Sequence, residues 1–128
     1  MAVDSTKRIE NFEYELDVKG FKVRTDVEQD LGGSNHAPDP HDYLQVALAS
    51  CTAITLQMYA KRKGFDLGSV DVKIRITEEG AQNVIQREIK LIGNLTHEQK
   101  QNLMAIAERC PIHKFLEKGA QINTLAVE

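Results

Sequence analysis

The sequence of 128 residues is poor in cysteine, with Cys51 and Cys110 alone, it has no tryptophan, and its basic patch Lys61-Arg62-Lys63 is typical of a helix C-terminus. Two cysteines are too few for the disulfide framework of a small secreted domain, so they point to free or redox-active thiols. The net charge of −3 is spread over both signs. This argues against a nucleic-acid partner, because phosphate binding needs a concentrated basic face.

Long apolar runs are also missing. The first eight residues, Met1 to Arg8, lack the apolar core of a signal peptide, and no stretch approaches the length of a membrane span. We therefore expect a cytoplasmic protein without membrane contact. Gly32-Gly33 does not stand in a strand-to-helix phosphate loop, so nucleotide binding has no support. The length predicts a single domain over residues 1–128.

The pattern of apolar residues predicts an α+β fold in the order β-β-α-β-β-α-α-β. Alternation across Phe12 to Val23, with a Gly20 turn, indicates a hairpin, and residues 26–39 indicate a loop. A helix should begin after an Asp39 cap and end at Gly64, and its nearly uninterrupted apolar content from Tyr43 to Ile54 predicts deep burial.

The second half of the chain predicts a strand pair, two helices and a last strand. Thr96 and Gln99 form a capping-box pattern, and Pro111 marks the break between the two helices. The expected strands are Val70 to Thr77, Val84 to Ile92 and, closing the chain, Ile122 to Val127. The final helix is expected from Pro111 to Leu116.

The two cysteines occupy contrasting positions. Cys51 shares one helical face with Leu48 and Thr55, where a thiol packs as a small, inert hydrophobic group unless a cation from elsewhere activates it. Cys110 precedes Pro111 and can cap the following helix, with His113 as a further donor. These features predict that Cys110 is the more acidic thiol, and the position fits a redox role and a simple cap at a helix corner equally well.

A metal site has weak support in the sequence. Cys110 and His113 are two potential ligands close together, but a second such pair is missing, and His41 and His97 lie at predicted helix starts. We therefore predict no metal site, with Cys110 and His113 as the weak alternative.

Two motifs resemble those of a known family. Leu44 to Tyr59 is similar to the central cysteine helix of the OsmC/Ohr family, which comprises osmotically inducible protein C and the organic hydroperoxide resistance proteins. The segment Cys110-Pro-Ile-His-Lys resembles its second cysteine motif, and Leu31-Gly-Gly before Pro38-Asp-Pro resembles its loop. The resemblance covers Phe21 to Val127 and is closest to the OsmC-like branch.

The resemblance implies an OsmC-like fold, with two central helices on an antiparallel sheet, in an intertwined homodimer with active sites at the interface. It also implies a thiol peroxidase that uses no metal or organic cofactor. Cys51 would attack the O–O bond of a hydroperoxide and become a sulfenic acid. Cys110 would then close a disulfide with it, and a dithiol reductant of the lipoyl type would restore both thiols.

The sequence departs from the family at one acidic position. Family peroxidases carry a Pro-Glu pair shortly before the first cysteine, and the Glu orients an activating arginine. Here the pair is Pro40-His41, with Asp42 next. The ten helical residues from His41 to Cys51 span about 15 Å, so His41 or Asp42 would have to serve the partner's site. Arg24 is the candidate activating arginine, with Arg8 as the alternative, and Arg24 equally fits an exposed strand position.

We therefore expect a thiol-dependent peroxidase for organic hydroperoxides, with Cys51, Cys110 and Arg24 as catalytic residues. The supporting or substrate-lining residues would be His41, Asp42, Leu48, Thr55 and His113. The alternative is a non-enzymatic OsmC-fold protein that binds an apolar small molecule at the dimer interface, with both cysteines as packing residues.

Overall fold

The computed structural model describes residues 2–127 and contains five strands and three α-helices. Two compact units divide the chain, residues 1–46 and residues 47–128. The strands are β1 (Ser5–Glu10), β2 (Glu13–Val18), β3 (Phe21–Thr25), β4 (Asp66–Glu78) and β5 (Val84–Asn94). The helices are α1 (Pro40–Lys63), α2 (His97–Ile106) and α3 (Pro111–Lys118), with short 3₁₀ helices at Gln29–Leu31 and Ala107–Arg109.

The first unit is built on an antiparallel sheet in the order β1-β2-β3. Lys19 and Gly20, both with positive φ, connect β2 to β3 in a two-residue turn, as the hairpin prediction required. Strand β1 was not predicted. All six of its residues are exposed and Ile9 is its one large apolar residue, so it has no alternation to detect and is held through backbone pairing with β2.

The loop predicted at residues 26–39 follows β3 and contains the first 3₁₀ helix. Gly33 is required there because a Cβ atom at this position would lie 2.0 Å from the backbone oxygen of Val27. Helix α1 begins at Pro40 behind the predicted cap: the Asp39 carboxylate accepts the backbone N–H of Asp42 at 2.7 Å. The Asp42 carboxylate accepts the Asp39 N–H in return.

The second unit carries the apolar core, which is formed by α1, α2 and the β4–β5 pair. Apolar residues of β4 and β5 alternate with exposed polar ones, as predicted, and both strands extend beyond their predicted bounds. The capping box of Thr96 and Gln99 is formed at the start of α2. The core residues are Leu56, Ala60, Leu67, Leu103, Ile106 and Ala107.

Two predictions about the fold are wrong. The first is deep burial of the first half of α1. Its buried residues lie in one narrow stripe four residues apart, Leu48, Thr52, Leu56 and Ala60. Other apolar residues of α1 are exposed by 40–67%, namely Leu44, Val46, Ile54 and Met58.

The second wrong prediction is the closing strand at Ile122 to Val127, because the described residues 119–127 form no strand. A strand needs a neighbour for its hydrogen bonds. The apolar side chains of this segment are instead 84–87% exposed, at Ile122, Leu125 and Val127. Separately, none of the helices within residues 2–127 has the length and apolarity needed to cross a membrane.

Candidate active site

The fold brings the two cysteines together in the second unit. Cys51 lies on α1 and is half-buried, whereas Cys110 lies at the break before α3 and is fully buried. Both thiols are free, and each shifts the pKa of the other, so the two sulfurs lie close together. A pair of thiols within hydrogen-bonding reach can pass between dithiol and disulfide forms with little movement of the chain.

Cys110 is held in place by the two helical segments on either side of it. Leu103, Ile106 and Ala107 anchor the preceding segment in the core. The backbone then turns to extended ψ at Cys110, as expected for a residue before proline, and Pro111 starts α3. This turn fixes the sulfur at the start of α3, where the backbone N–H groups of Ile112 and His113 are close to it.

The pKa of the Cys51 thiol is lowered. Partial burial raises this pKa, but hydrogen bonds from the thiol of Cys110 and from the backbone N–H of Ile112 outweigh the effect. The hydroxyl of Thr55, whose Oγ1 lies 3.8 Å from Sγ, and the positive charge of Arg87 lower it further. These contacts favour the thiolate, which is the nucleophilic form of cysteine.

The pKa of the Cys110 thiol is raised, mainly by burial and then by its hydrogen bond to Cys51. The backbone N–H groups of His113 and Ile112 oppose this rise without reversing it. The order of acidity is therefore the reverse of the one predicted from the sequence. The helix start at Cys110 was correctly placed, but the sequence did not reveal how completely the thiol is buried.

Arg87 is the residue of this site that the sequence reasoning missed. Its guanidinium donates from Nη1 to Oγ1 of Thr52 at 3.1 Å and from Nη2 to Nδ1 of His113 at 2.9 Å. The Thr52 hydroxyl donates to the backbone oxygen of Leu48 at 2.7 Å, so its oxygen is available to accept from Arg87. The side chain of Arg87 is only 12% exposed, which limits the screening of its charge by water.

A signal for Arg87 was present in the sequence. On β5 the inward positions alternate through Ile85, Arg87, Ile89 and Leu91, while the residues between them are exposed. A charged residue at an inward position of an otherwise apolar alternation needs partners, and such residues are concentrated at functional sites.

His113, predicted as a donor to Cys110, contacts other groups through its ring. Its Nε2 lies 3.1 Å from Oε2 of Glu108 and 3.0 Å from Oε1 of Glu117, and its Nδ1 faces Arg87. Both ring nitrogens therefore have protein partners. Leu48, another predicted lining residue, is buried one turn before Cys51.

The remaining predicted residues belong to the first unit. Arg24 is 48% exposed and bonded to two carboxylates, those of Glu13 at 2.8 Å and Glu15 at 3.1 Å. Asp42 forms the reciprocal cap with Asp39, and His41 lies in the first turn of α1, where its backbone oxygen accepts from the side chain of Gln45.

The first unit also contains a group of potential metal ligands. In residues 2–127, Glu13, Asp26 and His36 are the one set of at least three such side chains whose ligand atoms all lie within 4.8 Å of one another. The buried Asp26 carboxylate accepts the backbone N–H groups of Val27 and His36. Glu13 bonds His36 and Arg24. These contacts attach the loop to the sheet.

Comparisons with known proteins agree on one family. The family model described as OsmC-like protein matches residues 32–125. No curated protein matches the chain. An OsmC-like protein from Mycoplasma pneumoniae has a similar structure, with a TM-score of 0.75, 15% identity and coverage of 91% of this chain and 88% of that one.

Two organic hydroperoxide resistance proteins are also similar in structure. The one from Legionella pneumophila, called OsmC, has a TM-score of 0.60 and 19% identity, and 91% of each chain is covered. The one from Elizabethkingia anophelis has a TM-score of 0.59 and 20% identity, with 86% of this chain and 83% of that chain covered. At these identities the likeness shows a shared fold.

Proposed function

Because the chain belongs to the OsmC-like protein family, we propose that it is a thiol-dependent peroxidase that reduces organic hydroperoxides. The observation that carries the proposal is the lowered pKa of Cys51 beside a second, more basic thiol at Cys110. Structural relatives named as organic hydroperoxide resistance proteins support the substrate class.

In the first step the Cys51 thiolate attacks one oxygen of the O–O bond. A sulfur–oxygen bond forms, the O–O bond breaks, and the alkoxide leaves as the alcohol after taking up a proton. The sulfur loses two electrons and becomes a sulfenic acid, while the hydroperoxide is reduced by the same two electrons. Arg87 and the N–H of Ile112 stabilise the attacking thiolate.

In the second step the Cys110 sulfur attacks the sulfenic sulfur, a disulfide forms, and the oxygen leaves as water. The raised pKa of Cys110 suits this order, because Cys110 stays protonated while Cys51 reacts. An external dithiol reductant of the lipoyl type then restores both thiols by two successive exchanges and is itself oxidised to its disulfide. No metal or organic cofactor takes part.

The setting of Cys51 favours hydroperoxides with an alkyl or lipid chain over hydrogen peroxide. Cys51 lies on a helix rich in apolar residues, with the buried Leu48 one turn earlier. An apolar surface binds an alkyl group through the hydrophobic effect, and it provides no such binding energy for hydrogen peroxide. Equal rate constants for cumene hydroperoxide and hydrogen peroxide would contradict this preference.

We also propose a homodimer. The exposed apolar residues of α1, such as Val46 and Ile54, lie on a helix that is apolar on most of its faces, and a second copy of the chain would cover them. In such a dimer His41, Asp42 and Arg24 would serve the partner's site. Sedimentation analysis tests this: the protein should be dimeric, and Ile54→Glu should shift it to monomer. A monomeric wild type would contradict it.

The competing function is non-enzymatic binding of an apolar molecule, favoured by His41 where family peroxidases carry Glu. Reduced protein should be treated with one equivalent of cumene hydroperoxide and examined by intact mass and thiol counting, alongside Cys110→Ser. The peroxidase loses two thiols rapidly, and the variant gains one oxygen, about 16 Da, at Cys51. Thiols that stay reduced would overturn the peroxidase and leave ligand binding.

A further inference from the structure

The hydrogen bonds around His113 determine where its proton lies. The guanidinium of Arg87 has donors and no acceptor, so the contact of 2.9 Å between its Nη2 and Nδ1 of His113 requires Nδ1 to accept. The other nitrogen, Nε2, faces two carboxylate oxygens, those of Glu108 and Glu117, at 3.1 and 3.0 Å. Carboxylates accept, so Nε2 must donate. The neutral ring protonated at Nε2 satisfies every one of these contacts.

The alternative protonation states each break a contact. An imidazolium carries an N–H at both nitrogens and would set a donor and a second positive charge against Arg87. The tautomer protonated at Nδ1 would also oppose Arg87 and would leave the two carboxylates without a donor. The charged and titratable groups that contact His113 are therefore Arg87 on β5, Glu108 before α3 and Glu117 within α3.

We propose that His113 is the positioning residue that holds Arg87 beside Cys51, and that it acts as a neutral imidazole protonated at Nε2. Arg87 has two acceptors on this side, Thr52 and His113, and Oε2 of Glu108 is 3.9 Å from Nη2. Both close acceptors are neutral, so the guanidinium keeps its charge available for the Cys51 thiolate. Glu117 and Glu108 orient the ring, and the ion pair of Arg87 with Glu108 is long and weakened by water because Glu108 is 68% exposed.

This inference concerns the same site and rests on the proposed function for its biological meaning, but its test uses no peroxide. The pH dependence of Cys51 alkylation by iodoacetamide is measured in a Cys110→Ser background with His113→Leu and His113→Asn. Leu removes the acceptor, and the alkylation midpoint should rise by about one pH unit. Asn places a carbonyl oxygen where Nδ1 stood and should restore most of the shift. His97→Leu, at an exposed histidine of α2, is the control and should change nothing.

A merely structural role for His113 predicts a different result. If His113 mattered only because its bonds to the carboxylates stabilise the fold, His113→Asn would raise the alkylation midpoint as much as His113→Leu does. The midpoint would then not depend on whether position 113 offers an acceptor to Arg87. Failure of Asn to restore the midpoint would therefore overturn the proposal. Loss of peroxide reduction with the alkylation pattern intact would instead overturn the proposed function and leave this inference standing.

A second measurement does not depend on any variant folding. Nitrogen-15 NMR of the labelled imidazole rings in the reduced protein at neutral pH distinguishes the two tautomers and the imidazolium. We expect His113 to be neutral with its proton on Nε2. A ring protonated at Nδ1, or at both nitrogens, would overturn the proposal.

Discussion

Arg24 on the first sheet and Arg87 on the second have very different surroundings. Arg24 lies on β3, is 48% exposed and is bonded to the carboxylates of Glu13 and Glu15. Arg87 lies on β5, is 12% exposed and donates to a hydroxyl and an imidazole nitrogen, while its carboxylate partner, Glu108, is exposed and 3.9 Å away. Two carboxylates in water neutralise a guanidinium, whereas neutral acceptors in a partly buried site leave its charge effective.

The comparison teaches that the type of partner decides what an arginine does. Bonds to carboxylates tie Arg24 to β2 and stabilise the first sheet locally. The surroundings of Arg87 are arranged so that its charge reaches the Cys51 sulfur and lowers the pKa of the thiol. The catalytic role that the sequence suggested for Arg24 stays a prediction, and paired substitutions in the two sheets test it.

The largest expected effect is on stability. Leu103 is fully buried in the core beneath the second sheet, whereas Phe21 on the first sheet is 69% exposed. Leu103→Ala should lower the free energy of unfolding by about 3 kcal/mol. Phe21→Ala should change it by no more than about 0.5 kcal/mol. Urea denaturation measures both. Equal losses would contradict the comparison and place Phe21 in an interface.

The next effect is on the reaction with hydroperoxide. Arg87→Met should slow the oxidation of Cys51 by cumene hydroperoxide at neutral pH by about 10²-fold, because the thiolate loses the positive charge that lowers the pKa of Cys51. Arg24→Met is the matched change in the other sheet and should alter the rate by less than about threefold. Stopped-flow kinetics under single-turnover conditions give both rates. A larger loss from Arg24→Met would assign activation to Arg24.

A smaller effect should follow from the acceptor of Arg87 on α1. Thr52→Val keeps the shape of the buried side chain but removes the oxygen that accepts from Nη1 of Arg87. The same oxidation rate should fall by about fivefold, which corresponds to one hydrogen bond of about 1 kcal/mol. Ser50→Ala, which removes an exposed hydroxyl bonded to the backbone oxygen of Ala47 on the same helix, is the control and should leave the rate unchanged. A Thr52→Val rate equal to that of wild type would show that Arg87 is not held through Thr52.

The smallest effect is expected in the first sheet and depends on pH. The bond from His36 lowers the pKa of Glu13, and the same bond raises the pKa of His36. The stability that Glu13 contributes is fully present above pH 4.5, the ordinary pKa of the group, and is lost as the pH falls through its lowered pKa. The stability that His36 contributes is fully present below pH 6.5, the ordinary pKa of the group, and is lost as the pH rises through its raised pKa.

The ion pair therefore stabilises the sheet fully between about pH 4.5 and 6.5. His36→Gln should lower the urea midpoint slightly at pH 5.5 and by less at pH 8.5. Both shifts should be small because His36 is exposed. A larger shift at pH 8.5 than at pH 5.5 would contradict the assigned ion pair.

Much of the fold could be predicted because its signals are local. The Asp39 cap, the Gly20 turn, the Thr96 capping box and the alternation of β4 and β5 each follow from neighbouring residues, and the structure confirms them. Strand β1 could not be found in this way, because its exposed residues STKRIE carry no pattern and its stability comes from pairing with β2.

The site was less predictable because burial and electrostatics are set by distant parts of the chain. The motifs identified both cysteines, but the acidity of each depends on the full burial of Cys110 and on Arg87, which is 36 residues after Cys51. The spacing of residues along the sequence cannot show how the two thiols interact, and that interaction shifts the pKa of each. The inward position of Arg87 in an apolar alternation was the one available signal.

The most direct test of the account is the order in which the two thiols react. Reduced protein is treated with less than one equivalent of iodoacetamide over a range of pH, and peptide mass spectrometry measures the alkylation of each cysteine. The account predicts that Cys51 reacts first, with a midpoint below that of free cysteine, and that Cys110 remains protected. Preferential alkylation of Cys110 at low pH would contradict it.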